Sequence, residues 1–208
     1  MNRSLLAGVL GAILVMSVTG CSADPLVQLA PLAPDARILA FGDSLTFGYG
    51  AQESESYPAQ LGRLLGRRVV RSGVPGETSE EGLARLPGEL ARAHPDLILL
   101  CLGGNDFLRR QDEVRTEENL ARMIELARER NIAVVLVGVP QLSVISSLRG
   151  AELYERLAHR YGIPLENDVF AAVLSDRDLL HDRIHPNAKG YARVAEAIRD
   201  LLRSAGAV

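Results

Sequence analysis

The chain has 208 residues, 47% hydrophobic and 24% charged, a balance that suits a packed core and excludes wholesale disorder. Its net charge of −3 leaves no excess of cations to neutralise phosphates, which argues against a nucleic-acid surface. Lys189 is the only lysine, Cys21 and Cys101 are the only cysteines, and tryptophan is absent; a Gly-Lys-Ser/Thr phosphate loop, a disulfide framework, a cysteine-rich zinc module and a stacked-Trp carbohydrate platform are thereby excluded.

Residues 1–20 read as a targeting segment. Arg3 and the terminal amine form a short positive region, and Leu5 to Val18 is uncharged and mostly apolar. That run is shorter than the roughly 20 residues a membrane span needs, and it suits the apolar core of a signal peptide. Val18-Thr19-Gly20-Cys21 resembles a bacterial lipoprotein processing box. The resemblance implies cleavage before Cys21, acylation of that cysteine and a membrane-held, exported protein. A plain secretory signal followed by a coincidental cysteine is the alternative. Ser22 follows the cysteine, and by analogy with Gram-negative sorting a residue other than Asp there points to the outer membrane. Residues 21–35 then supply the lipidated cysteine and a proline-rich tether, extended at about 3.1 Å per residue. Residues 36–208 show no second linker and no repeat, so they are expected to form one domain.

Within that domain strands and helices alternate. Arg37 to Phe41 is a short apolar run closed by Gly42, which predicts a buried strand. Tyr57, Leu61, Leu64 and Leu65 recur at helical spacing before Gly66. Val69-Val70 is a weak second strand. A helix is expected over 79–92, open to interruption near Pro87. Asp96 to Leu102 is the strongest strand signal. Thr116 is expected to cap a helix reaching about Arg130, with Leu120, Ile124 and Ala127 on one face. Ile132 to Val139 is a further apolar strand, followed by a helix over 150–161, a short strand at 163–165 and a terminal helix over 187–203. Continuous apolar strands separated by helices imply an α/β fold whose parallel sheet is covered on both faces. Ligands bind such sheets at the carboxyl ends of the strands.

The segments after those strands are polar and glycine-rich: Gly42-Asp43-Ser44-Leu45-Thr46, Gly73-Val74-Pro75-Gly76-Glu77-Thr78 and Gly103-Gly104-Asn105-Asp106. Asp182-Arg183-Ile184-His185-Pro186-Asn187 stands near the end. Each has an ordinary structural explanation by itself. Asp43 or Ser44 could cap a helix, the glycines could serve turns, Asn105 could be a turn residue and His185 a surface histidine. Together they supply complementary chemistry. Ser44 offers a hydroxyl nucleophile, His185 an imidazole to act as general base, and Asp182 a carboxylate to fix the ring's tautomer. The Gly76 N–H and the Asn105 amide are donors that could hold an oxyanion. Such a set serves acyl transfer through a tetrahedral intermediate.

The blocks FGDSLTFGYG, GVPGET, LGGND and DRIHPN resemble the GDSL esterases and lipases, also called SGNH hydrolases. They run in order from residue 41 to 187. The resemblance implies a flavodoxin-like, three-layer α/β sandwich with a five-stranded parallel sheet. It implies Ser44 as nucleophile, His185 as base and Asp182 as its orienting acid. The implied oxyanion hole is the N–H of Ser44, the N–H of Gly76 and the amide of Asn105. Gly103-Gly104-Asn105-Asp106 followed by Phe107-Leu108-Arg109, with the Val139-Pro140 turn, resembles a small bacterial branch of arylesterases, acyl thioesterases and lysophospholipases. Arg71-Ser72-Gly73 departs from the Asn-Ala-Gly frequent in relatives, which touches only local hydrogen bonding.

Rival motifs fail on particular residues. Gly48-Tyr49-Gly50 has Glu53 where a dinucleotide fingerprint needs its third glycine. His181 and His185 have metal-site spacing, but Pro186 disfavours a helix there. Gly-x-Ser-x-Gly is absent because Thr46 stands at its last position. Cys101, mid-strand, reads as a core thiol, and His94 and His159 as structural. The expected activity is hydrolysis of carboxylic esters or thioesters, lysophospholipids included, with no metal or organic cofactor. An acetyl esterase acting on carbohydrate and a non-catalytic binder of acyl chains are the alternatives. Phe107, Leu108, Pro140, Leu142, Val144 and Ile145 could line an acyl groove or be ordinary core. The sequence specifies no oligomeric state.

Overall fold

A computed structural model of the chain describes residues 27–141 and 150–208. Among the described residues there are five strands: β1 (Arg37–Gly42), β2 (Arg68–Gly73), β3 (Leu97–Cys101), β4 (Ala133–Val137) and β5 (Leu165–Glu166). They form one sheet in the order β2-β1-β3-β4-β5, and every pairing is parallel. The expected α/β class and five-stranded parallel sheet are therefore observed. β1 and β3 are buried almost throughout, because parallel strands covered on both faces carry continuous apolar runs.

Helices cover the sheet. They are α1 (Ser44–Phe47), α2 (Tyr57–Leu65), α3 (Ser79–Ala93), α4 (Gly104–Leu108), α5 (Glu113–Arg128), α6 (Glu152–Tyr161), α7 (Val169–Ser175) and α8 (Ala188–Ser204). α2 packs on α8, while α3 packs on α5 and α5 on α6, giving the outer layers of a three-layer sandwich. The α8 stripe Tyr191, Val194, Ala195, Ile198 and Leu202 is fully buried.

Several expectations need correction. α3 runs unbroken through Pro87. Pro87 and Gly88 face solvent while Gly82, Leu86, Leu90 and Ala93 are buried, so packing of one stripe outweighs the one intrahelical bond that proline removes. α5 starts a turn earlier than expected. Asp112 is its cap, accepting the Val114 N–H, and Thr116 lies inside the helix, buried, with its hydroxyl on Asp106 Oδ1. β2 is longer than Val69-Val70, since its edges pair with the whole of β1. β5 lies at Leu165–Glu166, a step beyond the expected 163–165. α1, α4 and α7 carry too few residues to give a periodic signal in the sequence.

The segment ahead of β1 also differs from expectation. Residues 27–35 form neither helix nor strand but are bound to the body. The Leu29 N–H donates to Ala205 O and the Leu32 N–H to Ala207 O, both past the end of α8. Arg67 donates to the carbonyls of Leu32 and Ala33. Leu29 and Leu32 pack against the core, which gains apolar burial that a solvated tether would forgo. Residues 1–20 and Cys21 lie outside the described residues.

Candidate active site

The sheet order reverses direction beside β1, since β2 lies on one side of it and β3 on the other. Segments leaving the carboxyl ends of β1, β2 and β3 therefore splay apart there and leave a crevice. Ser44 follows β1 directly. Asp43 caps α1 by accepting the Leu45 N–H at 2.9 Å, which turns the chain sharply and lifts the Ser44 side chain out of the sheet. Gly73 is required beside it: a Cβ there would lie 2.2 Å from the Phe47 nitrogen, a backbone atom that cannot yield.

The segment near the carboxyl terminus comes to meet Ser44. Leu180 and Pro186 form an antiparallel bridge, and the His181 N–H donates to His185 O at 2.9 Å, so residues 181–185 are a tight loop and not a helix. His181 and His185 accordingly share no helix face, as Pro186 led us to expect. The His185 Nε2 is 3.0 Å from Ser44 Oγ. Its Nδ1 is 2.8 and 3.0 Å from the two Asp182 oxygens. A carboxylate facing Nδ1 places the ring proton there and leaves Nε2 to accept from the serine hydroxyl. Burial works against charge on Asp182, but the Ile184 N–H, the His185 ring and the His185 N–H outweigh it and hold the carboxyl below its usual range. Tyr49 packs against the same ring at a tilt of 44°, centroids 4.5 Å apart.

The second and third blocks close the other side. Gly76 has φ +81°, a left-handed conformation that a glycine adopts freely. Among the described residues neither the Gly76 N–H nor the Ser44 N–H donates a backbone hydrogen bond. Asn105 opens α4. Its Nδ2 donates to Glu77 O at 3.0 Å and faces Asp43 Oδ2 at 3.2 Å. Glu77, buried, is gripped by Arg85 through Nε and Nη2, each at 2.7 Å. Arg85 also donates to Ser72, whose hydroxyl donates to Glu89. The departure at Arg71-Ser72 is thus absorbed: Ser72 joins this network, and Arg71 donates to Phe47 O and pairs with Glu53 at 3.1 Å.

Asp43 does more than cap α1. Its side chain is wholly buried, and burial pushes its carboxyl up to about 7, with the charges of Glu77 and Asp106 adding and the Leu45 N–H opposing. Cys101 lies beside it and is buried, and burial holds its thiol well above the ordinary range, as befits a core residue.

A groove of about 660 Å³ opens over Ser44 and His185. Phe107, Leu108 and Pro140 line it as expected. Leu142, Val144 and Ile145 lie outside the described residues. Tyr49, Val139, Leu174 and Ile184 also line it, beyond what the sequence singled out. Ile184 could have been found from its place beside His185; Leu174 could not, because α7 gives no signal.

A model of the GDSL-like Lipase/Acylhydrolase family matches residues 40–193. The chain is similar to Esterase TesA of Pseudomonas aeruginosa, 38% identical over 89% of this chain and 96% of that protein. It is 32% identical to Thioesterase 1/protease 1/lysophospholipase L1 of Escherichia coli K12, over 76% of this chain and 79% of that one. Among solved structures, the crystal structure of TesA superposes with a TM-score of 0.72 at 28% identity, covering 81% of this chain and 99% of that one. AlinE4, an SGNH-hydrolase family esterase, superposes with a TM-score of 0.63 at 33% identity, over 84% and 98%.

Proposed function

The chain belongs to the GDSL-like lipase/acylhydrolase family, a family of esterases and thioesterases, and on that premise we propose that it hydrolyses carboxylic esters through Ser44, His185 and Asp182. The observation that carries this reading is the unbroken line Ser44 Oγ, His185 Nε2, His185 Nδ1, Asp182, with contacts of 3.0 and 2.8 Å. His185 takes the Ser44 proton as Oγ attacks the carbonyl carbon. The developing oxyanion is held by the N–H groups of Ser44 and Gly76 and by the Asn105 amide, which shares the hydrogen it otherwise turns toward Asp43. His185 then gives its proton to the departing alkoxide. Water, deprotonated by the same ring, attacks the acyl-enzyme and releases the acid.

The apolar groove favours acyl esters over the carbohydrate acetates that form the alternative, because a sugar needs polar partners that Phe107, Leu108, Val139 and Leu174 do not offer. Thioesters fit the same chemistry. The membrane-held, exported state read from Val18 to Cys21 remains part of this proposal, and palmitate labelling lost in Cys21→Ala tests it. For the reaction, p-nitrophenyl esters from acetate to palmitate are the assay. Ser44→Ala is expected to abolish turnover and labelling by a fluorophosphonate. Equal turnover by Ser44→Ala overturns the reading, and binding of acyl ligands without turnover by the wild type would leave the non-catalytic alternative in front.

A further inference from the structure

Three described residues other than glycine have left-handed backbones: His94, Asn131 and Arg110. Asparagine and histidine are enriched in that region, and arginine is not. Arg110 follows α4 with φ +54°. Its N–H donates to Phe107 O at 3.0 Å and the Gln111 N–H to Asp106 O at 2.8 Å, so α4 unwinds through a position that glycine fills best. The chain does put glycine at the corresponding place after α1, α2 and α6. A strained backbone bearing a charged side chain at a groove is a pointer to use of that side chain.

Arg110 lines the groove over Ser44 and, among the described residues, is the only arginine or lysine that does so. Asp43 is the only carboxylate in that described lining, and it lies in the floor, held by the Leu45 N–H and Asn105. Among the described residues the Arg110 guanidinium makes no ion pair or hydrogen bond, whereas Arg109 next to it donates to Gly76 O at 2.7 Å. An apolar groove whose described lining carries one guanidinium without a partner there matches an amphipathic ester that carries an anion.

We propose that Arg110 binds an anionic substituent, carboxylate or phosphate, on the ester that occupies this groove. The kinetic arm of the test rests on the esterase reading; the binding arm does not. In the kinetic arm, mono-p-nitrophenyl adipate is compared with p-nitrophenyl hexanoate, which puts the charge on the acyl half. 3-Hexanoyloxybenzoate is compared with its methyl ester, which puts it on the alcohol half. Arg110→Gln is expected to lower the charged-to-neutral ratio of kcat/KM about 3- to 10-fold in one pair, and Arg110→Lys to retain much of it. The pair that responds identifies which half of the substrate carries the anion. The wild-type preference is expected to weaken with added salt. An unchanged ratio in both pairs overturns the proposal.

The binding arm measures octyl phosphate against octanol by calorimetry in the full chain. Tighter binding of octyl phosphate by the wild type, lost in Arg110→Gln, supports the proposal, and equal binding by the two proteins overturns it. Arg110→Gly separates the side chain from the backbone, since relief of the left-handed strain should raise Tm while the anion preference disappears. Failure of Ser44→Ala to lose turnover would sink the hydrolase reading and leave the calorimetric result standing.

Discussion

Replacing Asp43 with asparagine separates the charge of this carboxyl from its shape. In the native protein Oδ1 accepts the Leu45 N–H at 2.9 Å and Oδ2 faces the Asn105 amide nitrogen at 3.2 Å. In the variant the new side-chain oxygen can serve Leu45, but the new amide then meets the Asn105 amide, donor against donor. One buried unsatisfied group costs about 1–3 kcal/mol. Against this, the variant never buries a charge. The rise of the Asp43 carboxyl from 3.8 to about 7 is a native-state preference for the proton. At 1.36 kcal/mol per pK unit it amounts to about 4 kcal/mol, an upper figure that relaxation around the charge reduces.

Between about pH 4 and pH 7 the native state keeps a proton that the unfolded chain has released. The Asp43 contribution to stability is therefore greatest near pH 4, falls as pH rises through that window, and is level above it. Wild type should exceed Asp43→Asn by about 1–3 kcal/mol near pH 4 and lose that lead by about pH 8. Other carboxyls, Asp182 among them, titrate in both proteins and cancel in the difference. Urea unfolding followed by far-ultraviolet circular dichroism suits a chain without tryptophan. A wild-type-minus-variant difference that stays flat within about 1 kcal/mol from pH 4 to 8 would refute the reasoning.

Removing the side-chain donor with Asn105→Ala should lower kcat by about 10²–10³ with little change in KM, and a matching rise in the inhibition constant of a boronate transition-state analogue would tie the loss to the oxyanion. Asp182→Asn keeps the loop but offers His185 Nδ1 the wrong partner, so kcat/KM for a p-nitrophenyl ester should drop by about 10²–10⁴; retention within about 3-fold would remove Asp182 from the mechanism. Arg85→Met leaves the Glu77 carboxylate buried without its fork of two 2.7 Å bonds. Because Arg85 is partly exposed, the expected cost is about 2–4 kcal/mol in urea unfolding, below that of a fully buried pair. Gly73→Ala should prevent soluble expression, since its Cβ would meet the Phe47 nitrogen at 2.2 Å.

Much of this protein was legible along the chain because the signals were local and repeated. Leu97 to Cys101 could be read as a buried strand from its unbroken apolar run, and the terminal helix expected over 187–203 lies within one residue of α8. Three polar blocks that follow strands and a fourth near the carboxyl terminus were enough to single out Ser44, Asn105, Asp182 and His185, because parallel sheets put the segments after their strands at one end. What escaped depended on contacts between distant residues. Pro87 lies inside α3 because a buried stripe on the sheet outweighs a local breaker. Leu29 and Leu32 belong to the domain because the end of α8 supplies their backbone partners. The buried Asp43, the Arg85 grip on Glu77 and the place of Arg110 at the groove, without a partner among the described residues, share that origin. The chain itself determined which elements form and which side chains are chemically competent. Only the tertiary structure decided their burial, their spacing of about 3 Å and the charges left without partners, since dielectric environment and neighbours are properties of the packed whole.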